Sequence, residues 1–183
     1  MNIIKTEIEG VVILEPRVFE DERGYFFESF TERKFCEEVC ECHFVQDNEA
    51  KSTYGVVRGL HFQLPPHAQS KLVRVAKGRV LDVAVDIRKS SPTFGKYVAV
   101  ELSDDNHRQI FIPKGFAHGY SVLSDEAVVE YKCDNYYAPQ CEGAVAWNDA
   151  DLAIDWHIPA DKIILSEKDK CHPSLAECKT LFE

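Results

Sequence analysis

Apolar and polar residues alternate with a period of two over most of the chain from residue 54 onward. Residues 72–76 and 80–87 carry that pattern on either side of Lys77-Gly78, a turn-forming pair, which predicts a β-hairpin. Further strands are predicted over 97–102, 109–112, 119–123, 127–132 and 143–147, separated by turn clusters such as Ser90-Ser91-Pro92 and Ser124-Asp125. Short strands at this even spacing predict an all-β sandwich or barrel. One helix is predicted over about 30–41, where Ser29 and Glu32 have capping-box spacing and Phe35 and Val39 share a face. A shorter one is predicted to start at Pro173, with Leu175, Cys178 and Leu181 on one side.

Ionisable residues interrupt these apolar strands. In the run from Val56 to Gln63, strict alternation puts His61 on one face with Gly59 and Gln63, and Arg58 on the other with Val56 and Leu60. Lys71, Asp82, Asp86, His118 and Tyr131 break later strands in the same way. Together they predict a polar cavity inside a β-rich shell.

At 183 residues the chain has the length for one domain, 1–183, with a full core. Its first residues lack the apolar core and cleavage site of a secretory signal, and no run reaches the length of a membrane span, so a cytoplasmic location is expected. Seven cysteines without a paired framework predict reduced thiols. Cys36, Cys40, Cys42 and His43 lack the second ligand pair of a structural zinc site and read as ordinary packed or surface groups. A net charge of −10 opposes binding to a nucleic-acid backbone. A small phosphorylated ligand held by a local Arg and Lys cluster remains compatible with it.

Gly59-Leu-His61-Phe-Gln63 and Ile112-Pro-Lys-Gly-Phe-Ala-His118-Gly119 resemble the two motifs of the cupin superfamily, whose small jelly-roll barrels hold a ligand in the mouth. Metal-binding cupins place a second histidine where this chain has Gln63, so no metal is expected. Longer stretches sharpen the resemblance. Pro16-Arg-Val-Phe19, Asp21-x-Arg23-Gly24-x-Phe26-x-Glu28, Phe44-Val-Gln46-Asp-Asn48, Val57-Arg58-Gly-Leu-His61-Phe-Gln63, Lys71-Leu-Val-Arg74 and Asp82-Val-Ala-Val-Asp86-Ile-Arg88 are followed by Ser91-Pro-Thr-Phe-Gly95, the His118 motif, Tyr131-Lys132, Trp147-Asn-Asp149 and Leu165-Ser-Glu-Lys168-Asp169. In this order, from about residue 10 to residue 170, they resemble the dTDP-4-dehydrorhamnose 3,5-epimerase family. The resemblance implies an all-β, cupin-type jelly-roll barrel with a few short flanking helices, assembled as a homodimer. Cys133, Cys141 and the cysteine-bearing tail after Asp169 depart from the family pattern.

It further implies epimerisation of dTDP-4-dehydro-6-deoxy-D-glucose at C3 and C5, both α to the 4-keto group, through enolates and without cofactor. Such chemistry needs a base on one face of the sugar, an acid on the other and a positive group at the oxyanion. By motif position, His61 carries over as base, Asp169 as its orienting partner, Tyr131 as proton donor and Lys71 as the group at the C4 oxygen. The residues themselves leave Asp82 and Asp86 as rival partners for His61. Arg23, Arg58 and Lys168 carry over as charge for phosphates or sugar, Glu28, Gln46, Asn48, His118 and Glu142 as hydrogen-bonding groups, and Tyr137 as the aromatic stacking on thymine. The stretch near Arg23 to Glu28 is expected to reach a neighbouring subunit's site. His43, His67, His107, His157 and His172 receive no role. The alternatives are a single-centre epimerase on a related keto sugar and a sugar-nucleotide-binding cupin without turnover.

Overall fold

The computed structural model describes residues Met1–Glu183. In chain order its elements are β1 (Asn2–Lys5), β2 (Val12–Glu15), β3 (Phe19–Asp21), β4 (Gly24–Phe26), α1 (Glu32–Glu38), β5 (Gln46–Thr53), β6 (Val57–Gln63), β7 (Lys71–Lys77), β8 (Arg79–Asp86), β9 (Tyr97–Ser103), β10 (Gln109–Ile112), β11 (Phe116–Val122), β12 (Glu126–Cys133) and β13 (Glu142–Ala144). A six-stranded sheet in the order β1-β2-β10-β7-β12-β5 faces a five-stranded sheet in the order β13-β6-β11-β8-β9, while β3 and β4 pair only with each other. All pairings between these strands are antiparallel. This is the jelly roll expected from the sequence, and none of its helices is long and apolar enough to cross a membrane.

Three apolar layers hold it. Between the sheets, Val73, Val75, Ile110 and Val129 from one side meet Val80, Ala84, Leu102, Phe116 and Tyr120 from the other. On the outer face of the five-stranded sheet, Leu81, Val83 and Val85 are covered by Val145, Trp156, Leu175 and Leu181 of the C-terminal third. Strand β8 is therefore buried on both faces. On the outer face of the six-stranded sheet, Phe35 of α1 is fully buried against Leu14, Leu72 and Phe111. Burying each such side chain contributes about 1.5–3 kcal/mol.

Several local expectations change. The hairpin predicted across Lys77-Gly78 does not form: β7 pairs with β10 and β12, whereas β8 pairs with β9 and β11. Gly78, at φ +79°, carries the chain from one sheet to the other, and a Cβ there would lie 2.1 Å from the Glu126 carbonyl oxygen. Alternation identifies both strands but not their partners, since each buries one face in the same inter-sheet core. Helix α1 is shorter than predicted and starts after Thr31 without a side-chain cap. Ser29 instead accepts a bond from Gln109 Nε2 at its carbonyl, and the Glu32 carboxylate takes His43 Nδ1 at 2.6 Å. The segment after Pro173 is a single 3-10 turn, Leu175–Glu177, capped by Ser174 and Glu177. Of the strand predicted over 143–147, only Gly143 and Ala144 pair as strand, within Glu142–Ala144. The first five strands, including the long β5, lie outside the predicted set.

Candidate active site

A cleft of about 360 Å3 opens between the two sheets and is lined by Arg58, His61, Lys71, His118, Tyr131, Glu142, Lys168 and Asp169, with Tyr120 and Ser166. His61 enters from β6 of the five-stranded sheet and Tyr131 from β12 of the six-stranded sheet. The imidazole and the phenol thus reach one cavity from opposite walls.

Strict alternation would have separated Arg58 from His61, yet both line this cleft. The cause is an irregularity in β6. Its pairing with β11 aligns His61 with His118 but Arg58 with Tyr120, a register shift of one residue. Gly59 sits at this point with φ +132°, and a Cβ there would lie 2.6 Å from Gly119 Cα. A bulge of this kind re-aims a side chain. Arg58 is held by a 3.1 Å bond from its Nε to Ser52 Oγ.

His61 Nε2 lies 2.6 Å from Asp169 Oδ1. Asp169 is delivered by the 3-10 turn Asp169–Cys171, with its backbone N–H bonded to Ser166 Oγ at 3.1 Å. Burial works against its charge, but the His61 ring, Ser166 and His172 outweigh it and hold the carboxyl below its usual range. An ionised carboxylate only accepts, so His61 Nε2 carries the proton and Nδ1 holds the lone pair. Loss of hydration lowers the His61 pKa, against the opposing pull of Asp169. Of the rival partners, Asp82 bonds His118 Nε2 at 2.9 Å. Asp86 lies outside the cavity, against expectation, where Arg88, Ser91 and Thr93 surround it and, against the cost of burial, bring its pKa down to about 2.

Lys71 stands on β7 beside Tyr131, its Nζ 5.7 Å from the ring centroid. Burial pushes its ammonium pKa down, and it pushes the Tyr131 phenol up, so at neutral pH the phenol keeps its proton. A second recess continues from the cleft past His61, Lys71, Tyr131 and Glu142 to Gln46, Asn48 and Tyr137. At its rim Glu142 takes Lys168 Nζ at 2.6 Å and the Tyr137 hydroxyl at 3.1 Å. Burial opposes the Glu142 charge, but these two donors keep its pKa below the ordinary value. Arg23 and Glu28 are not brought here: Arg23 pairs with Asp21 and Glu28 with Lys34.

One grouping has metal-like donors: His61, Asp169 and His172 place three within 4.8 Å of one another. A tetrahedral cation bonded to both His61 and Asp169 at about 2.1 Å would hold those atoms about 3.4 Å apart. The observed 2.6 Å fits a direct N–H···O bond instead. Gln63, at the position of a second cupin histidine, is committed elsewhere, donating to the His67 and Tyr136 carbonyls and accepting from the Ala138 N–H.

The family model described as dTDP-4-dehydrorhamnose 3,5-epimerase matches residues 5–177. The chain belongs to the dTDP-4-dehydrorhamnose 3,5-epimerase family. It is 58% identical over 170 residues to the Shigella flexneri protein of that name, covering 92% of this chain and 93% of the relative. The crystal structure of the dTDP-4-dehydrorhamnose 3,5-epimerase from Elizabethkingia anophelis NUHP1 superposes with a TM-score of 0.93 at 53% identity, covering 98% of this chain and 99% of that one. A Legionella pneumophila Philadelphia 1 structure, titled dTDP-6-deoxy-D-glucose-3,5-epimerase in complex with dTDP-4-keto-L-rhamnose, gives 0.94 at 48% identity, with coverages of 97% and 94%.

Within this member of the epimerase family, two residues of the site escaped sequence reasoning. His172 bonds the same oxygen of Asp169 as His61 does, at 3.2 Å. Its spacing of three from Asp169 was the available signal, because residues three apart in a 3-10 turn lie on one side. Tyr120 lies two residues beyond His118 on β11, which puts both on the same face.

Proposed function

We propose that this chain inverts C3 and C5 of dTDP-4-dehydro-6-deoxy-D-glucose, giving dTDP-4-dehydro-L-rhamnose. The observation that carries the reading is the pair of proton-transfer groups, His61 and Tyr131, facing one cleft from opposite sheets. His61 Nδ1 takes the proton from the carbon α to the ketone, and Asp169 stabilises the resulting imidazolium. Charge develops on the C4 oxygen, where the Lys71 ammonium stabilises it. Tyr131 then returns a proton to the opposite face of the same carbon, and the ketone re-forms with inverted stereochemistry. Each centre loses one C–H bond and gains another, and between the two inversions His61 gives its proton to solvent and Tyr131 recovers one from it. The recess carrying Gln46, Asn48 and Tyr137 accommodates the nucleotide, with Arg58, Lys168, Glu142 and His118 around phosphate and sugar.

Incubation with substrate in D2O tests this directly. NMR is expected to find deuterium at both C3 and C5; label at one carbon makes the chain a single-centre epimerase. Ligand binding without any label reduces it to a binding module.

The same reading includes a homodimer with shared sites. The β3–β4 ribbon exposes Phe19, Tyr25 and Phe26, which are 53%, 57% and 71% accessible, and it carries Arg23 outside the chain's own cleft. An apolar ribbon that pairs with no other strand supports burial against a second copy. Sedimentation should give twice the 20.8 kDa chain mass. Mixing the inactive variants Arg23→Ala and His61→Ala should restore activity through one intact site per mixed dimer; a monomer, or no restoration, refutes the shared site. The seven free thiols support a reducing, cytoplasmic setting.

A further inference from the structure

His172 lies against the His61–Asp169 pair with its side chain 11% exposed, and its surroundings hold it in place. Upstream, the Ser166 hydroxyl and carbonyl accept from the Asp169 and Lys170 N–H groups. Downstream, the Pro173 carbonyl accepts from Ala146 N–H at 2.7 Å and Leu175 N–H donates to Asp149 Oδ2 at 2.6 Å. Between these anchors the imidazole meets the His61 ring edge to face, with centroids 5.6 Å apart at 89°. Both rings use Nε2, and both reach the same oxygen, Oδ1 of Asp169, at 2.6 and 3.2 Å. Because that carboxylate only accepts, His172 must donate to it.

We propose that His172 is a positioning residue for the His61–Asp169 pair: by occupying Oδ1 with a second N–H, it fixes the carboxylate and limits the negative charge that Asp169 presents to His61. The proposal deepens the epimerase reading and rests on it for its catalytic meaning. An acceptor oxygen shared between two donors stabilises a cation at either one less than an unshared oxygen would. Sharing therefore keeps the His61 imidazolium from becoming too stable, and the base stays neutral near neutral pH. The other charged or titratable groups that line the cleft with His61 are Arg58 on β6, Lys71 on β7, His118 and Tyr120 on β11, Tyr131 on β12, Glu142 on β13 and Lys168 before the turn. Lys71 and His172 both disfavour the imidazolium, whereas Asp169 favours it.

The test is a titration of His61 by NMR in the free protein with isotope-labelled histidine, comparing His172→Phe, His172→Leu and His172→Gln with the parent. Removing the donor, as Phe and Leu do, should raise the His61 pKa by about one unit, the size expected for a lost charge-assisted hydrogen bond. The acid limb of kcat/KM should rise by the same amount, with kcat down about 3- to 10-fold and KM little changed. Gln retains an N–H and should restore the parent titration. A His61 pKa that stays put in the Phe and Leu variants, or that moves equally in Gln, overturns the proposal. Because the titration uses no substrate, its outcome is separate from that of the D2O experiment, which judges the epimerase reading itself.

Discussion

His61→Ala should lower solvent exchange at both C3 and C5 by about 10²–10⁴-fold, the range for loss of a general base. The fold should survive, because Asp169 keeps His172 and Ser166 as partners and is not left as an unpaired buried charge. A melting temperature near that of the parent, with exchange gone, is the expected combination. Exchange that persists at either carbon means a different base serves that carbon. In the parent the pH profile follows the directions of the shifts. Desolvation puts the His61 pKa below 6.5, so the rate should hold through neutrality and fall only as pH drops through that lowered value. On the alkaline side burial lowers Lys71 below 10.5 and raises Tyr131 above 10. Loss of the Lys71 charge, which burial moves toward neutrality while it moves the phenol away, should therefore contribute to the alkaline limb.

Tyr131→Phe should separate the two halves of the reaction. The ring packs against the inter-sheet core, and phenylalanine preserves that packing. The variant loses only the phenolic hydroxyl and with it the proton to be donated. Inversion, measured as product formed, should fall by about 10²-fold or more, the contribution of a general acid. Deuterium incorporation into recovered substrate should fall much less, since His61 and Lys71 still generate the enolate. An equal fall in both would mean that Tyr131 also helps remove the proton, and a donor-only role would be wrong.

Most strands after residue 54 were legible because each buries one face, and burial of one face imposes alternation. Strand β5 was not. Its inward positions include Gln46 and Asn48, which line the nucleotide-side recess, and Ser52, which holds Arg58. A strand whose inner face forms a polar site carries no apolar stripe, so the property that makes β5 useful also hides it from hydrophobic patterning. The short strands of the ribbon are hidden for a different reason, since Phe19, Glu20 and Asp21 are all exposed and have no buried face to report.

The chemistry divides in the same way. The residue types needed for enolisation, and their order along the chain, were legible from local motifs: an imidazole, a phenol, an ammonium and a carboxylate, each in its own short segment. Which carboxylate serves His61 was not legible from the residues themselves. Asp82, Asp86 and Asp169 are the same residue type, and only the 108-residue closure between His61 and Asp169 at 2.6 Å selects one. That contact also admits His172, for which the sequence offered only its spacing of three from Asp169. The placement of Arg58 depends on a one-residue register shift opposite β11, a property of two strands together.

Alone, the sequence determined the all-β character, the polar interruptions and the set of groups able to move protons, because these follow from side-chain chemistry and near-neighbour periodicity. Tertiary structure decided strand partners, the face each ionisable group occupies and the sharing of Asp169 by two imidazoles. Those depend on contacts between residues far apart in the chain, whose energies arise only once the sheets have closed on each other.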